Sequence, residues 1–160
     1  GDNISILNEG VFEGCIKLET CFCNKKIDTI GNRVFYKCSS LKELIIPSST
    51  TNIGNSAFAH CNKLEAIEIP DNVTKLGYTA FAGCKNLKTV SLGTGISILH
   101  NSFGDCEKLE KIVIKDSKTP LVIDSKTSEQ EEYPGDNIRY TTYVVYESLF
   151  YYKNYLTIFF

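Results

Sequence analysis

The sequence predicts an α/β solenoid. A right-handed superhelix of 22–23-residue coils is expected, each coil giving one short strand to a parallel sheet and a short helical turn to the convex side. Three observations predict it. Cysteines recur at Cys15, Cys38, Cys61, Cys84 and Cys106, at steps of 23, 23, 23 and 22 residues. A phenylalanine stands three residues before each, at Phe12, Phe35, Phe58, Phe81 and Phe103. A leucine stands three residues after each, at Leu18, Leu41, Leu64, Leu87 and Leu109.

The whole chain reads as one domain, with a partial N-terminal coil over 1–14, repeats over 15–115, an irregular excursion over 116–139 and a C-terminal cap over 140–160. In the partial coil, Ile4 to Phe12 has no strand before it, so it is either a natural cap or the remnant of an upstream repeat. Within the repeats, the Ile67 column holds Cys21, Leu44, Val90 and Ile112, and the Ile69 column holds Cys23, Ile46, Leu92 and Ile114. Residues two apart share one face of a strand, so both columns point inward and Glu68 points out. Pro47 and Pro70 end their strands, because proline cannot donate to a ladder. The Leu76 column holds Leu7, Ile30, Ile53 and Leu99; glycine follows at Gly31, Gly54 and Gly77, with Asn8 and His100 as exceptions. From there to the next cysteine the chain has room only for a helical turn or a 3₁₀ piece, with phenylalanine and cysteine turned inward. A lone coil buries too little apolar surface to offset the ordering of its residues, so neighbours must share the core.

The excursion is polar around a short Leu121-Val122-Ile123 strand. The chain is then expected to rejoin the sheet near Tyr140 to Tyr146 and to end in a helix from Glu147 to Tyr155, with Glu147 near its positive end. Such a strand–helix cap would cover the last coil's core and strand edge.

The unit C-x-x-L-x-x-I-x-I-P-x-x-V-x-x-I-G-x-x-A-F resembles the BspA-type, or treponemal-type, leucine-rich repeat, over residues from about 4 to 114. The segment from Tyr143 to Lys153 is similar to the closing Y-V-P-x-G-S-x-x-x-Y-K of such proteins in gut Bacteroidetes, with Val145 and Glu147 in place of the proline and glycine. The resemblance implies a secreted or surface-exposed bacterial protein with adhesive roles. Its implied partner is a host extracellular protein or a protein of a neighbouring cell.

Composition narrows the classes further. A formal net charge of −2 gives no basic footprint for nucleic acid. No apolar run is long enough to span a membrane. The start lacks the basic and apolar regions of a signal peptide, and the absence of methionine fits a processed or cloned piece of a longer chain. The seven cysteines leave at least one thiol unpaired within the chain. The repeat cysteines read as small buried apolar thiols, and parallel stacked side chains do not converge as disulfides require. Cys15, Cys21 and Cys23 lack any CxxC or histidine that would support a metal site. His60 and His100 lie in turns of different coils with no motif partner, and Gly93-Thr94-Gly95 is a turn explained by the repeat register. No cofactor, metal or catalytic residue is expected.

Solenoids bind along their concave sheet. Strand parity sends Thr20, Phe22, Asn24, Glu43, Ile45, Ala66, Glu68, Thr89, Ser91, Lys111, Val113 and Lys115 outward. Phe22, Ile45, Glu43, Glu68, Ser91, Lys111 and Val113 are the candidate partner-binding residues. Phe22 and Ile45 make an exposed apolar pair, which reads either as a protein-docking patch or as residues that merely suit a strand. The C-terminal aromatics from Tyr140 to Phe160 read either as a closing core or as rings for a glycan or partner. The sequons at Asn3 and Asn72 matter only in a eukaryotic source. The expected function is thus non-enzymatic extracellular protein recognition or adhesion, the alternatives being a structural spacer in a longer surface protein or a glycan-binding accessory module.

Replacing Phe81 with alanine is expected to destabilise the fold by about 3–5 kcal/mol, as for other buried aromatics. Denaturant unfolding checks this, and an unchanged midpoint would place Phe81 outside the core.

Overall fold

The computed structural model describes residues 3–96, 98–115, 122–124, 143–144 and 155–159. Each coil gives two short strands rather than the single one expected. The inner ladder is built from β2 (Thr20–Phe22), β4 (Glu43–Ile45), β6 (Ala66–Ile69), β8 (Thr89–Leu92) and β10 (Lys111–Lys115). A second ladder is built from β1 (Ile6–Leu7), β3 (Thr29–Ile30), β5 (Asn52–Ile53), β7 (Lys75–Leu76), β9 (Ile98–His100) and β11 (Val122–Asp124). Most of the second set are only two residues long, and one inward side chain each is too weak a pattern to read as a strand.

Pairing follows the sequence columns. Cys21 lies opposite Leu44, Ile67 opposite Val90, and Val90 opposite Ile112, all in parallel ladders. In the second ladder Leu7, Ile30, Ile53 and Leu76 are matched in turn, and Leu99 is matched to Ile123. That last match continues the column into the polar stretch beyond residue 115. The inner ladder is interrupted between β4 and β6, and the second between β7 and β9. The two interruptions lie at different levels, so one ladder always runs through where the other stops.

The stretch from glycine to cysteine is not helical, and among the described residues there is no helix. Each coil instead carries two residues with left-handed backbone, five and one before its cysteine. They are Gly10 and Gly14, Arg33 and Lys37, Ser56 and His60, Thr79 and Gly83, and Asn101 and Asp105. Left-handed residues spaced so closely prevent a right-handed helix from propagating. The backbone donors alternate to match. Ser56, Phe58 and His60 donate to Tyr78, Ala80 and Ala82 of the next coil, at 2.9, 2.8 and 2.8 Å. Between them, Ala59 and Cys61 donate three residues back, to Ser56 and Phe58. These N–H groups are therefore satisfied without a helix.

The core follows from this registry. The five repeat phenylalanines stack in one column with centroids 5.2, 5.3, 4.9 and 5.6 Å apart and planes within 16° of parallel. Phe35, Phe58 and Phe81 are fully buried, with Leu41, Leu64 and Leu87 beside them. Thr50 is the polar member of the otherwise aliphatic column of Ile27, Val73 and Ile96, and its buried hydroxyl donates to the Ile27 carbonyl at 3.0 Å. Gly54 sits where neighbouring coils approach closely: a Cβ there would lie 2.5 Å from the backbone nitrogen of Asn32. The shorter last step falls at this column. Thr79 donates to the carbonyl of His100, as Ser56 does to that of Tyr78, so His100 continues the Tyr78 column and not the glycine column.

On the surface, Glu19, Lys42, Glu65, Lys88 and Glu110 form a column of alternating charge. Lys42 Nζ lies 2.9 Å from Glu19 Oε2, and Lys88 Nζ 2.9 Å from Glu65 Oε2.

Both ladders end in antiparallel strands. β12 (Tyr143–Val144) pairs with β11, and β13 (Tyr155–Phe159) runs the length of β10, matching Lys111 to Phe159 and Lys115 to Tyr155. The expected helix from Glu147 to Tyr155 lies outside the described residues except at Tyr155, which begins a strand. Tyr155-Leu156-Thr157-Ile158-Phe159 is a β-branched and aromatic run beside an open edge, which favours pairing there.

Lys37 is exposed and held at φ 59°. Its replacement by glycine is expected to stabilise the chain by about 1 kcal/mol by removing the clash of a left-handed side chain. A rise in the thermal midpoint checks this; a fall would show that the ammonium over the Tyr36 ring, 5.1 Å from its centroid, outweighs the strain.

Candidate interaction face

The inner ladder turns every second residue to solvent. On β2 and β4, Cys21 and Leu44 point into the core while Phe22 and Ile45 point out. In-register pairing sets these two outward side chains opposite each other. Phe22 is 72% exposed and Ile45 64%, the highest values among the large exposed hydrophobics of the described residues. Glu43 is exposed one position away, opposite Thr20. The same outward column continues with Glu68 on β6, opposite Ser91 on β8, and then Val113 on β10. Lys111 lies opposite Thr89 on one side and Phe159 of β13 on the other, so the face extends onto the closing strand. All seven candidate residues therefore share one surface. Phe22, Ile45 and Glu43 lie on one side of the interruption between β4 and β6; Glu68, Ser91, Lys111 and Val113 lie on the other.

The cysteine column does more than fill space. Cys38, Cys61, Cys84 and Cys106 each donate through Sγ to the carbonyl of the phenylalanine in the preceding coil, at 3.0, 3.3, 3.2 and 3.2 Å. Cys38, Cys61 and Cys84 are buried as expected, Cys106 is half-buried and Cys15 is exposed. All seven are free thiols. Burial pushes the Cys38 thiol up to about 11 and Cys106 up to about 12, and moves Cys61 and Cys84 strongly in the same direction. Sequence reasoning missed the influence of the neighbouring Cys21 and Cys23 thiols on each other's titration: hydrogen bonding from Cys23 draws Cys21 down to about 7, and Cys21 together with burial pushes Cys23 up. The C-x-C spacing on one strand face was its available signal.

Among the described residues no group of three or more His, Cys, Asp or Glu side chains is placed to hold a metal. No described helix is long and apolar enough to cross a membrane. His60 packs edge-on against Tyr36 at 5.5 Å, and His100 lies over Tyr78 at 4.7 Å, so the two histidines serve separate aromatic pairs. Most of the C-terminal aromatics lie outside the described residues.

Residues 4–126 match the sequence model of the BspA-type leucine-rich repeat region in six copies. A leucine-rich repeat protein from Bacteroides ovatus is similar at 36% identity and a TM-score of 0.66, over 70% of this chain and 29% of that one. A leucine-rich cell surface protein from Faecalibacterium prausnitzii is similar at 25% identity and a TM-score of 0.68, over 74% of this chain and 31% of that one. A leucine-rich repeat protein from T. pallidum shares the fold at 22% identity and a TM-score of 0.61, over 68% of this chain and 62% of that one. The chain thus spans less than a third of the first two relatives. No curated protein matches it.

The thiol shifts carry a pH dependence. A buried thiol that stays protonated up to about 11 or 12 contributes stability that is complete below the unfolded value of 9.0 and is lost as pH rises through the folded value. Urea midpoints should therefore fall between about pH 9 and 11. A variant with Cys38, Cys61, Cys84 and Cys106 replaced by alanine should show a shallower fall, and equal slopes would remove the thiols as the cause.

Proposed function

Because the chain belongs to the BspA-type leucine-rich-repeat family, we propose that it is a non-enzymatic protein-recognition module of a bacterial cell surface, which docks an extracellular protein on its inner ladder. The observation that carries this reading is the Phe22–Ile45 pair, two large apolar side chains held face-out on neighbouring strands. Their exposure leaves apolar area that a partner would cover. Glu43, Glu68, Ser91 and Lys111 supply a polar surround of mixed charge, the composition of an interface rim. Val113 adds an apolar position further along the same face.

The F. prausnitzii relative named as a cell surface protein supports the surface location. The host-matrix or neighbouring-cell partner is the family's expectation, carried here by the apolar pair. No described constellation of nucleophile, base and orienting group favours catalysis.

Binding to a panel of purified host matrix and epithelial surface proteins tests the proposal. A Phe22→Asp, Ile45→Asp double variant is expected to lose at least about 30-fold in affinity for any protein the parent chain binds, as for the loss of a central apolar anchor. Both substitutions are on exposed positions, so the thermal midpoint should stay within a few degrees. Unchanged affinity in the double variant would remove the patch as the docking site. A parent chain that binds nothing in the panel or on whole cells would favour a spacer role.

A further inference from the structure

The outward residues of the inner ladder are not equally open. Thr20, Phe22, Glu43, Ile45, Ala66 and Glu68, on β2, β4 and β6, are exposed, whereas those on β8 and the described ones on β10 are half-buried. A partner that reaches the sheet therefore has most to cover on β2, β4 and β6. Ile45 is 64% exposed although its coil has a neighbour stacked on either side. Its exposure is a property of the face.

The charge on that open part has one sign. Glu43 and Ile45 are two residues apart on β4, so their side chains stand side by side on the outward face. Glu68 follows Ile45 in the same outward column, one coil on. The repeat phenylalanines of those two coils are 5.3 Å apart, so the step between coils is kept although the ladder is interrupted there. Ile45 thus has a carboxylate on two of its sides. No lysine or arginine stands among the outward residues of these three strands. Lys42 belongs to the column beside them and is held by Glu19 at 2.9 Å. Lys25 and Lys26 lie in the turn after β2, past the end of the strand away from Glu43. Among the described residues no ion pair holds Glu43. The first cation on the face is Lys111, two strands past Glu68.

Building on the recognition reading above, we propose that the partner presents an extended segment in which a large apolar residue is followed, two positions on, by arginine or lysine. The apolar residue covers Ile45 and Phe22. Side chains two apart on an extended chain lie about 6.6 Å apart on one side. A segment running along the solenoid therefore sets its cation over the coil of Glu68. Arginine suits the place best, because its planar fork can bond a carboxylate through two donors. The apolar contact supplies most of the affinity, and the carboxylates choose among partners. A segment with an acidic residue at the same place would meet like charge and be refused.

The test selects a phage-displayed library of random dodecapeptides on the whole chain and measures a synthetic peptide of the enriched sequence by fluorescence polarisation. The expected motif is an apolar residue, any residue, then arginine or lysine. Affinity should fall about fivefold in a Glu43→Gln, Glu68→Gln variant, and added salt should weaken the parent complex more than the variant one. A Glu43→Lys, Glu68→Lys variant should instead prefer the peptide whose basic residue is replaced by glutamate. All these positions are exposed, so each variant should melt like the parent. Peptides that need Phe22 and Ile45, as shown by a Phe22→Thr, Ile45→Thr variant, but ignore both glutamate variants would overturn this inference and leave the docking face standing. So would enrichment of acidic or uncharged sequences that need the apolar pair. Peptides that bind the threonine variant as tightly as the parent, or no enrichment at all, would overturn the docking face as well.

Discussion

The carbonyl oxygen of each inner repeat phenylalanine accepts twice. The backbone N–H of the cysteine three residues on bonds it within the coil, and the thiol of the next coil's cysteine bonds it from the neighbouring level. Its own N–H reaches across to the following coil as well, as from Phe58 to Ala80. A phenylalanine held this way cannot slide, and its ring falls about 5 Å from the one before it. A serine hydroxyl could make the same bond but would cost more to bury, and an alanine would leave that lone pair unused. The thiol is small enough, apolar enough and still a donor. Strand pairing, ring stacking and the outward face all inherit the spacing that this bond and its backbone neighbours fix.

The same constraint explains why the turn stretch carries so many left-handed residues. With alternate donors committed to the next coil, the chain must reverse twice between glycine and cysteine, and it does so at Arg33 and Lys37 or at Ser56 and His60 as readily as at Gly10 and Gly14. The strain is tolerated because inter-coil bonds on both sides hold the backbone in place. At Gly83 the tolerance ends, since a Cβ there would run into the imidazole of His60.

Much of this was legible from residues alone. Phenylalanine, cysteine and leucine recur because each meets its own copy in the next coil, and strand parity placed Phe22 and Ile45 outward correctly. What escaped were features without a distinctive side chain. The second ladder rests on single residues such as Ile30 and Ile53, which look like turn punctuation in a sequence. The left-handed positions are filled by seven non-glycine residues as well as by glycines, so composition hides them. His100 was misaligned by the one-residue shortening of its coil, which only hydrogen-bond partners reveal. The thiol donors were invisible because a buried cysteine reads as an apolar one.

Near-identical coils raise a problem that a varied core does not have: any coil could dock on the wrong neighbour with little loss of packing. The column of Glu19, Lys42, Glu65, Lys88 and Glu110 distinguishes right from wrong pairings. Adjacent coils meet with opposite charge, whereas a fold that skipped one coil would set glutamate on glutamate or lysine on lysine. Each such pair is exposed to solvent and screened by it, too weak to hold the protein together but of the right sign to bias the choice while the chain is still assembling. The alternation acts as a parity bit written along the surface, read once at each level as the solenoid winds.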